Sequence, residues 1–195
     1  MPLGQASTYG LLSGGTIVAR NAAGAPLPIQ AVGSAGASGA ISSLVAATAG
    51  VFAQGTGTVP RALADLQAAQ AYCGQPRAQA RGIAGQLAGR TLTHGVYTIG
   101  GSADLSQGST LTITGDTATV VIVNVAGDLT LEAGSRVALV GVLPRHVYWN
   151  VGGALYVAGH VAFRGNALAT GDAQIDGVQL GYAAILSRGN VTLTN

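Results

Sequence analysis

The sequence contains no lysine, and all nine of its cationic residues are arginines. A phosphate-binding loop of the Walker type needs a lysine directly after its glycines. Schiff-base catalysis needs a lysine amine as its nucleophile. The missing lysine therefore excludes both chemistries before any motif is considered.

Charge of either sign is also scarce, since charged residues make up 8% of the chain and the formal net charge is +2. The arginines form no basic run; they occupy positions 20, 61, 77, 81, 90, 136, 145, 164 and 188. Nucleic-acid binding requires basic residues that cluster on one surface. The sequence thus argues against a nucleic-acid partner. Low charge combined with 48% hydrophobic residues also argues against a disordered chain.

Side chains that catalyse reactions or bind metals are few and dispersed. Three isolated histidines, none of which forms a pair with metal-site spacing, are His94, His146 and His160. Glu132 is the only glutamate, the six aspartates are spread between 65 and 176, and no Gly-x-Ser-x-Gly motif is present. We therefore expect the protein not to be an enzyme and to need no metal or cofactor.

Cysteine and tryptophan each occur once, as Cys73 and Trp149. No disulfide can form within the chain, and a lone cysteine is commonly a small buried apolar residue. We expect Cys73 to be a buried, unreactive thiol. We expect Trp149 to pack in the core rather than to form a stacking platform for a ligand.

The first residues lack the basic and apolar segments of a signal peptide. If the protein is secreted to the extracellular space, its signal peptide has been removed from this sequence. The most apolar early stretch, residues 41–53, contains serine, threonine and glycine and is too short to span a bilayer. We therefore predict no membrane span.

Residues 58–90 contain the only convincing helical pattern. Thr58 is a candidate N-cap, and Pro60 lies in the first turn, where its missing N–H costs little. An apolar stripe recurs at helical spacing and consists of Ala62, Leu63, Leu66, Ala69 and Cys73. Gly74 and Pro76 follow it, so we predict a helix over about 59–73 that packs on the strand region. A weaker helical piece is expected over residues 78–87.

The last hundred residues consist of short runs in which apolar residues alternate with small or polar ones. The runs cover residues 110–114, 128–132, 154–158 and 190–194. Such alternation places one face of a strand inside and the other outside. This half of the chain is therefore predicted to be a series of short β-strands.

Glycines separate these runs at regular intervals. Gly127, Gly134 and Gly141 are seven residues apart, and a later series from Gly159 to Gly177 is spaced by six. A short strand followed by a glycine turn, repeated many times, favours a wound solenoid over a sandwich, whose strands repeat every 8–12 residues or so. Three such units form one coil of a triangular β-helix, which predicts coils of about 18–20 residues by addition of the strand and turn lengths.

Motifs along nearly the whole chain occur in a familiar order. They are residues 3–17 (LGQASTYGLLSGGTI), 62–72, 92–98 (LTHGVYT), 124–131, 146–152 (HVYWNVG), 163–169 (FRGNALA) and 183–193 (AAILSRGNVTL). In this succession they resemble the microbial ice-binding protein family. His94 stands where the family usually has proline.

The resemblance implies a mainly β fold, a right-handed triangular β-solenoid (β-helix) with one long α-helix packed alongside. It also implies export and a single domain that extends over residues 1–195. Characterised relatives adsorb to ice through one flat solenoid face, whereas others are adhesion modules or have no assigned function. The fold alone therefore does not settle the function.

Threonine is the residue expected on an ice-binding face, because its small hydroxyl and methyl groups can order water without projecting into it. Thr110, Thr112 and Thr114 alternate with apolar residues and should point to one side. Thr130, Thr192 and Thr194 are placed similarly on other strands. These six residues are the candidate ice-binding face, although threonine is also an ordinary surface residue of strands.

Bulky or charged residues interrupt the small-residue pattern between 154 and 176. In one possible alignment of the strands, the side chains of Tyr156, His160 and Arg164 point outward. Gln174 and Asp176 follow on the next coil. Such residues suit a contact with another protein better than a flat face. Tyr156, His160 and Arg164 therefore form an alternative contact surface.

Two functions remain open from the sequence. The first is an ice-binding or antifreeze protein whose partner is the ice surface. The second is an extracellular structural or adhesive module without ice activity, which contacts cell-surface components or assembles with itself, end to end into a filament or side by side. The second is supported by the low charge, the regular solenoid, the surface of Tyr156, His160 and Arg164, and the expected absence of an elaborate cap after Asn195.

Overall fold

The computed structural model describes residues 3–9, 11–20, 27–29, 32–34, 45–47, 52–54, 58–176 and 183–194. Within these ranges the chain forms one α-helix, α1 (Val59–Gly74), and two short 3-10 helices, Gly4–Thr8 and Pro144–His146. The strands before α1 are β1 (Leu11–Ser13), β2 (Ile17–Arg20), β3 (Leu27–Ile29), β4 (Val32–Ser34), β5 (Val45–Ala47) and β6 (Phe52–Gln54). Those after it are β7 (Arg81–Gly82), β8 (Thr91–Leu92), β9 (Gly95–Ile99), β10 (Ala103–Leu105), β11 (Thr110–Thr114), β12 (Val121–Val125), β13 (Leu129–Leu131), β14 (Arg136–Val140), β15 (Val147–Val151), β16 (Leu155–Val157), β17 (Gly165–Ala169), β18 (Ala173–Asp176), β19 (Ala183–Ser187) and β20 (Val191–Thr194).

Successive strands of the chain enter different parallel sheets, which is the pattern of a solenoid, and the smallest of these sheets pairs β3 with β5. The largest sheet, on which α1 packs and which we call the helix-covered sheet, has nine strands in the order β6-β4-β1-β19-β17-β15-β12-β9-β7. The six-stranded sheet has the order β10-β13-β16-β18-β20-β2, and the three-stranded sheet has the order β14-β11-β8. The predicted fold class, a mainly β solenoid with one long helix alongside, is confirmed.

The order of the coils in space differs from their order along the chain. β1 pairs with β19, and β2 pairs with β20, so the first coil stacks on the last one. The helix then runs alongside, and the chain resumes at β7 on the other side of the stack. Because β20 lies between β18 and β2, the final strand is not an edge of its sheet. The expectation of an uncapped solenoid end after Asn195 is therefore wrong.

Coil length changes part-way along the stack. The register pairs Leu129 with Leu155 in the next coil, and Leu155 with Ala173 in the one after, which is a clearly shorter step along the chain. The predicted coil length is correct for the last coils and too short for the middle ones, in which Ala103 pairs with Leu129 and Leu129 with Leu155. The longer coils contain a five-residue strand in the three-stranded sheet, and in one of them a 3-10 turn follows it. In the shorter coil, a single bridge at Ala162 replaces that strand.

The core is a column of aliphatic side chains inside the coils, and Trp149 lies within it. Its side chain is fully buried, its ring centroid lies 6.0 Å from that of Phe163, and its Nε1 donates a hydrogen bond of 3.1 Å to the carbonyl oxygen of Arg164. The bond removes the cost of burying the indole N–H. The predicted core position of Trp149 is confirmed.

A second apolar cluster joins α1 to the outer side of the helix-covered sheet. The buried residues of the helix include Val59, Ala62, Leu66, Ala69 and Cys73. They pack against Leu12, Ile122, Tyr148, Leu168 and Leu186. The predicted stripe is therefore the contact surface, with Leu63 only partly buried at its margin.

Thr58 does not cap the helix with its side chain, which corrects the expectation. The residue has helical backbone angles and makes no side-chain cap bond. Pro60, at the start of the helix, has no N–H to offer a cap. The Thr58 hydroxyl instead lies 2.7 Å from the hydroxyl of Tyr9, which ties the first coil to the helix.

The expected helical piece over residues 78–87 is also absent, since this segment forms β7 and a bridge between Gln86 and Asp104. Gly82 and Gly85 weaken a helix here, and pairing with β9 supplies the backbone hydrogen bonds instead. In the described part of the chain, no helix is long and apolar enough to cross a membrane.

Candidate functional site

Two of the sheets other than the helix-covered one carry the candidate threonines on their outer sides. We call the outer side of the six-stranded sheet the open face. Its registered outward residues, in strand order, are Asp104, Thr130, Tyr156, Gln174, Thr192 and Val18. Tyr156 is 43% exposed and stands in the middle of this row. A large ring at that position prevents the open face from being uniformly flat.

We call the outer side of β8, β11 and β14 the threonine face. Along β11 it presents Thr110, Thr112 and Thr114, which alternate with the fully buried Leu111 and Ile113. The register places Thr91 beside Thr112 on one flank and Ala138 on the other. The same register places Val140 beside Thr114 and Arg136 beside Thr110. The centre of this face thus consists of small or β-branched side chains.

The threonine hydroxyls of β11 are available to water. Within the described residues, the side chains of Thr110, Thr112 and Thr114 make no hydrogen bond to another protein group. Threonine has few χ1 rotamers on a strand, so these groups are held at nearly fixed positions. Neighbouring strands lie about 4.8 Å apart, and alternate residues of one strand roughly 6.6 Å apart. The result is a row of regularly spaced hydroxyl and methyl groups along β11, with Thr91 beside its centre.

The sequence model of the family described as Ice-binding-like matches residues 2–195. The chain belongs to the Ice-binding-like family. The predicted family is therefore confirmed over nearly the whole chain. Among proteins with curated descriptions, none matches this chain.

Solved structures of similar fold include proteins from cold-environment microbes. An ice-binding protein from the Antarctic ascomycete Antarctomyces psychrotrophicus is 26% identical, with a TM-score of 0.82 over 100% of this chain and 95% of its own. One from an Antarctic Flavobacteriaceae bacterium is 29% identical, with a TM-score of 0.80 over 99% of this chain and 45% of its own. One from an Arctic yeast is 19% identical, with a TM-score of 0.78 over 99% and 90%. The last comparison concerns the fold alone.

Within this Ice-binding-like fold, the six candidate threonines divide between the two faces. Thr110, Thr112 and Thr114 lie together on the threonine face. Thr130, Thr192 and Thr194 lie on strands of the six-stranded sheet. The alternation along each strand showed which side chains point outward, but the coil lengths decide which face they join.

The three residues of the alternative contact surface are also separated. Tyr156 lies on the open face, between Thr130 and Gln174. His160 follows β16 in a turn and has a left-handed backbone, with φ of 62°. Arg164 follows Ala162 in the chain. Ala162 forms an isolated β-bridge with Arg136, so this segment lies at the margin of the three-stranded sheet. Of the three, Tyr156 alone belongs to the open face.

Sequence reasoning missed Thr91, Ala138 and Val140, which complete the threonine face. Each of them pairs with a residue of β11, and the signal in the sequence was the number of residues between the two partners. The step from Thr91 to Thr112 is shorter than the step from Thr112 to Ala138. Unequal steps of this kind are hard to recognise without the register.

Thr93, at the margin of the threonine face, is hydrogen-bonded to Tyr97 and Arg81. The Tyr97 hydroxyl accepts a hydrogen bond from the Thr93 backbone N–H at 2.9 Å, and Arg81 donates to it at 3.2 Å. Burial alone raises the pKa of Tyr97, but its hydrogen bonds with Thr93 and Arg81 outweigh burial and lower the pKa. Arg81 also donates to the Thr93 hydroxyl at 3.3 Å. Thr93 is therefore engaged, unlike the threonines of β11.

No group of three His, Cys, Asp or Glu side chains in the described ranges could hold a metal ion. Cys73 is buried on the side of α1 that faces the sheet, and desolvation raises the pKa of its thiol to about 11, against a smaller lowering by Arg77. It is held as a neutral thiol, away from both exposed faces.

Proposed function

We propose that this protein binds ice and that the threonine face makes the contact. The observation that carries the proposal is the row Thr110, Thr112 and Thr114, in register with Thr91 and Ala138. No protein group among the described residues occupies the hydroxyls of this row. Membership of the Ice-binding-like family and likeness to ice-binding proteins of cold-environment microbes support the proposal.

Rigidity is the physical reason that this face suits a crystal surface. The strand backbones fix the spacing of the threonines, and β-branching restricts each χ1. Little side-chain entropy is then lost on contact, whereas a flexible polar chain loses about 0.5–1.5 kcal/mol on immobilisation. Hydroxyl groups at fixed spacing hydrogen-bond to water, and the intervening methyl groups keep that water in a regular layer.

The open face is the less suitable of the two exposed faces. Tyr156 projects from its centre, and Gln174 beside it is a flexible exposed side chain. Asp104 is held by hydrogen bonds from Gln86 and Ser106, at 2.9 and 3.3 Å. Mixed heights and a carboxylate interrupt any regular layer of water at this surface.

We further propose that the protein acts outside the cell, without a cofactor and without catalysis. An ice crystal is an extended surface, which an exported protein can reach directly. The family is one of ice-binding proteins and not of enzymes, which supports a role in adsorption rather than in chemistry.

Matched substitutions on the two faces test the assignment. Thr112→Tyr places a bulky ring at the centre of the threonine face, and Thr192→Tyr places the same ring on the open face. Both positions point outward from strands that accept tyrosine well, so each change in stability should stay within about 0.5 kcal/mol. We expect Thr112→Tyr to abolish inhibition of ice recrystallisation and Thr192→Tyr to retain it.

The reverse result would transfer the ice contact to the open face. Retention of full activity in both variants would remove both faces from consideration. Far-ultraviolet circular dichroism and thermal unfolding of each variant show that any loss arises from the surface and not from the fold.

An extracellular structural or adhesive module is the second candidate function, and the exposure of Tyr156 on the open face favours it. Tyrosine is enriched in protein contacts because its ring combines apolar area with a polar hydroxyl. The partner would be a cell-surface component or a second copy of this chain. Sedimentation velocity at rising protein concentration tests self-assembly, and Tyr156→Ala should weaken it. A monomer at every concentration would contradict the self-assembling version.

A further inference from the structure

A depression in the open face lies beside Tyr156 and has a volume of about 200 Å³. That is roughly the space of seven water molecules, at about 30 Å³ each. The polar or aromatic side chains that line it are Thr130, Glu132, Tyr156, Gln174 and Asp176. Its size suits a single six-membered ring with its hydroxyl groups.

Register explains why the depression exists. Thr130, Tyr156 and Gln174 are neighbours on adjacent strands. Two residues further along the chain come Glu132 and Ala158, each directly after its strand ends, and Asp176, the last residue of β18; all three line the depression. Ala158 has the smallest of these side chains and lies between the two carboxylates. Glu132 and Asp176 line opposite sides of the depression, and their backbones lie roughly 10 Å apart, two strand spacings.

Two of the lining residues, Glu132 and Tyr156, are held in position by contacts outside the depression. The Gln107 backbone N–H donates a hydrogen bond of 2.8 Å to Glu132 Oε2, which fixes that carboxylate. Tyr156 is 43% exposed, and its ring stands on a strand held on both sides by β13 and β18. The aromatic ring is therefore presented on a rigid support.

The chemistry of the lining selects among ligands. None of the described residues that line the depression is cationic, so its two carboxylates favour a positively charged group. An exposed tyrosine ring also attracts a cation and packs against an apolar ring surface. Gln174 and Thr130 add an amide and a hydroxyl, which can bind hydroxyl groups. A sugar ring that bears a protonated amine matches all of these features.

We infer that this depression is a subsite for a saccharide, with a preference for an amino sugar. The inference does not depend on the proposed ice contact, because the depression and the threonine face are on different sheets. A protein with both surfaces would attach to a cationic polysaccharide through one face and leave the other free.

Titration of ¹⁵N-labelled protein with a glucosamine trisaccharide tests the inference, with the N-acetylated trisaccharide as the uncharged match. We expect saturable shifts of the backbone amides of residues 130–132, 156–158 and 174–176 with the amine form and much weaker binding of the acetylated form. Glu132→Gln and Asp176→Asn should each weaken binding by about threefold, the range for exposed charge pairs. Tyr156→Ala should weaken it by about two- to fivefold.

Asp104→Asn is the control, since Asp104 lies on the same face outside the depression. It should bind as tightly as the parent chain, and so should Thr112→Tyr. Failure of the glucosamine trisaccharide to give saturable shifts would overturn the inference. Equal binding of the acetylated form, or an equal loss in Asp104→Asn, would also overturn it, because either result would mean that the carboxylates of the depression do not select the ligand.

Discussion

The side-chain amide of Asn150 donates a hydrogen bond of 2.8 Å to the side-chain carbonyl of Asn124, one coil away. Asn124 in turn donates to the Cys73 backbone carbonyl at 2.9 Å, and Asn150 donates to that of Gln70 at 3.4 Å. The last carbonyls of a helix have no partner within the helix. Asn124 therefore satisfies one carbonyl of the last turn of α1, and Asn150 adds a second attachment at Gln70, just before that turn.

Removal of this attachment should be measurable as a loss of stability. Asn124→Ala deletes the bond to Cys73 and the acceptor for Asn150, so we expect the free energy of unfolding to fall by about 1–3 kcal/mol. Thr98→Ala is the matched control, because Thr98 occupies the neighbouring registered position and is exposed. It should change stability by less than about 0.5 kcal/mol. Urea unfolding of both variants checks the difference, and equal losses would show that the asparagine contacts do not stabilise the helix end.

Two glycines in the turns of the coils predict a second contrast. Gly108 and Gly141 both have positive φ, of 66° and 76°. A Cβ on Gly108 would enter open space, whereas one on Gly141 would meet the backbone carbonyl of Gly115 in the adjacent coil. We expect Gly108→Ala to cost about 1 kcal/mol from the left-handed backbone alone. Gly141→Ala should cost about 1–3 kcal/mol more, because the coils must separate. Similar thermal unfolding of the two variants would contradict this account of coil stacking.

The buried thiol of Cys73 predicts a dependence on alkaline pH. Burial raises the pKa of Cys73 to about 11 from its ordinary 9.0. The folded state thus holds the proton more tightly than the unfolded state does, so this contribution is full below pH 9 and is lost as the pH rises from about 9 to 11. Cys73→Ala should flatten the fall in unfolding free energy over that interval.

At about pH 8, an aromatic disulfide reagent should modify the native Cys73 thiol far more slowly than the thiol of the urea-unfolded protein. Equal rates would contradict burial of the thiol.

Local patterns were sufficient to predict the architecture. Alternation such as that of Thr110–Thr114 depends only on the strand itself, and the apolar stripe from Ala62 to Cys73 depends only on the helix. Both patterns leave one apolar side that must be buried, and the regular glycine spacing between the strands favours a solenoid over a sandwich. The succession of family motifs strengthened the same prediction.

Features set by distant residues could not be predicted in this way. The longer coils depend on how strands of different coils align, and nothing within residues 136–146 shows that alignment. The division of the six threonines between two faces depends on the same register. Thr58 was a reasonable N-cap by residue type, but its hydroxyl is near that of Tyr9, which is distant in the chain. The pairing of β2 with β20 could not be read from any local pattern.

Adsorption to a growing single ice crystal tests the central proposal most directly. Fluorescently labelled protein, shown to be folded by circular dichroism, is offered to the crystal beside the equally labelled Thr112→Tyr variant. We predict that the parent chain is incorporated on defined ice planes and that the variant is excluded. Exclusion of the folded parent chain from the ice would contradict the proposal.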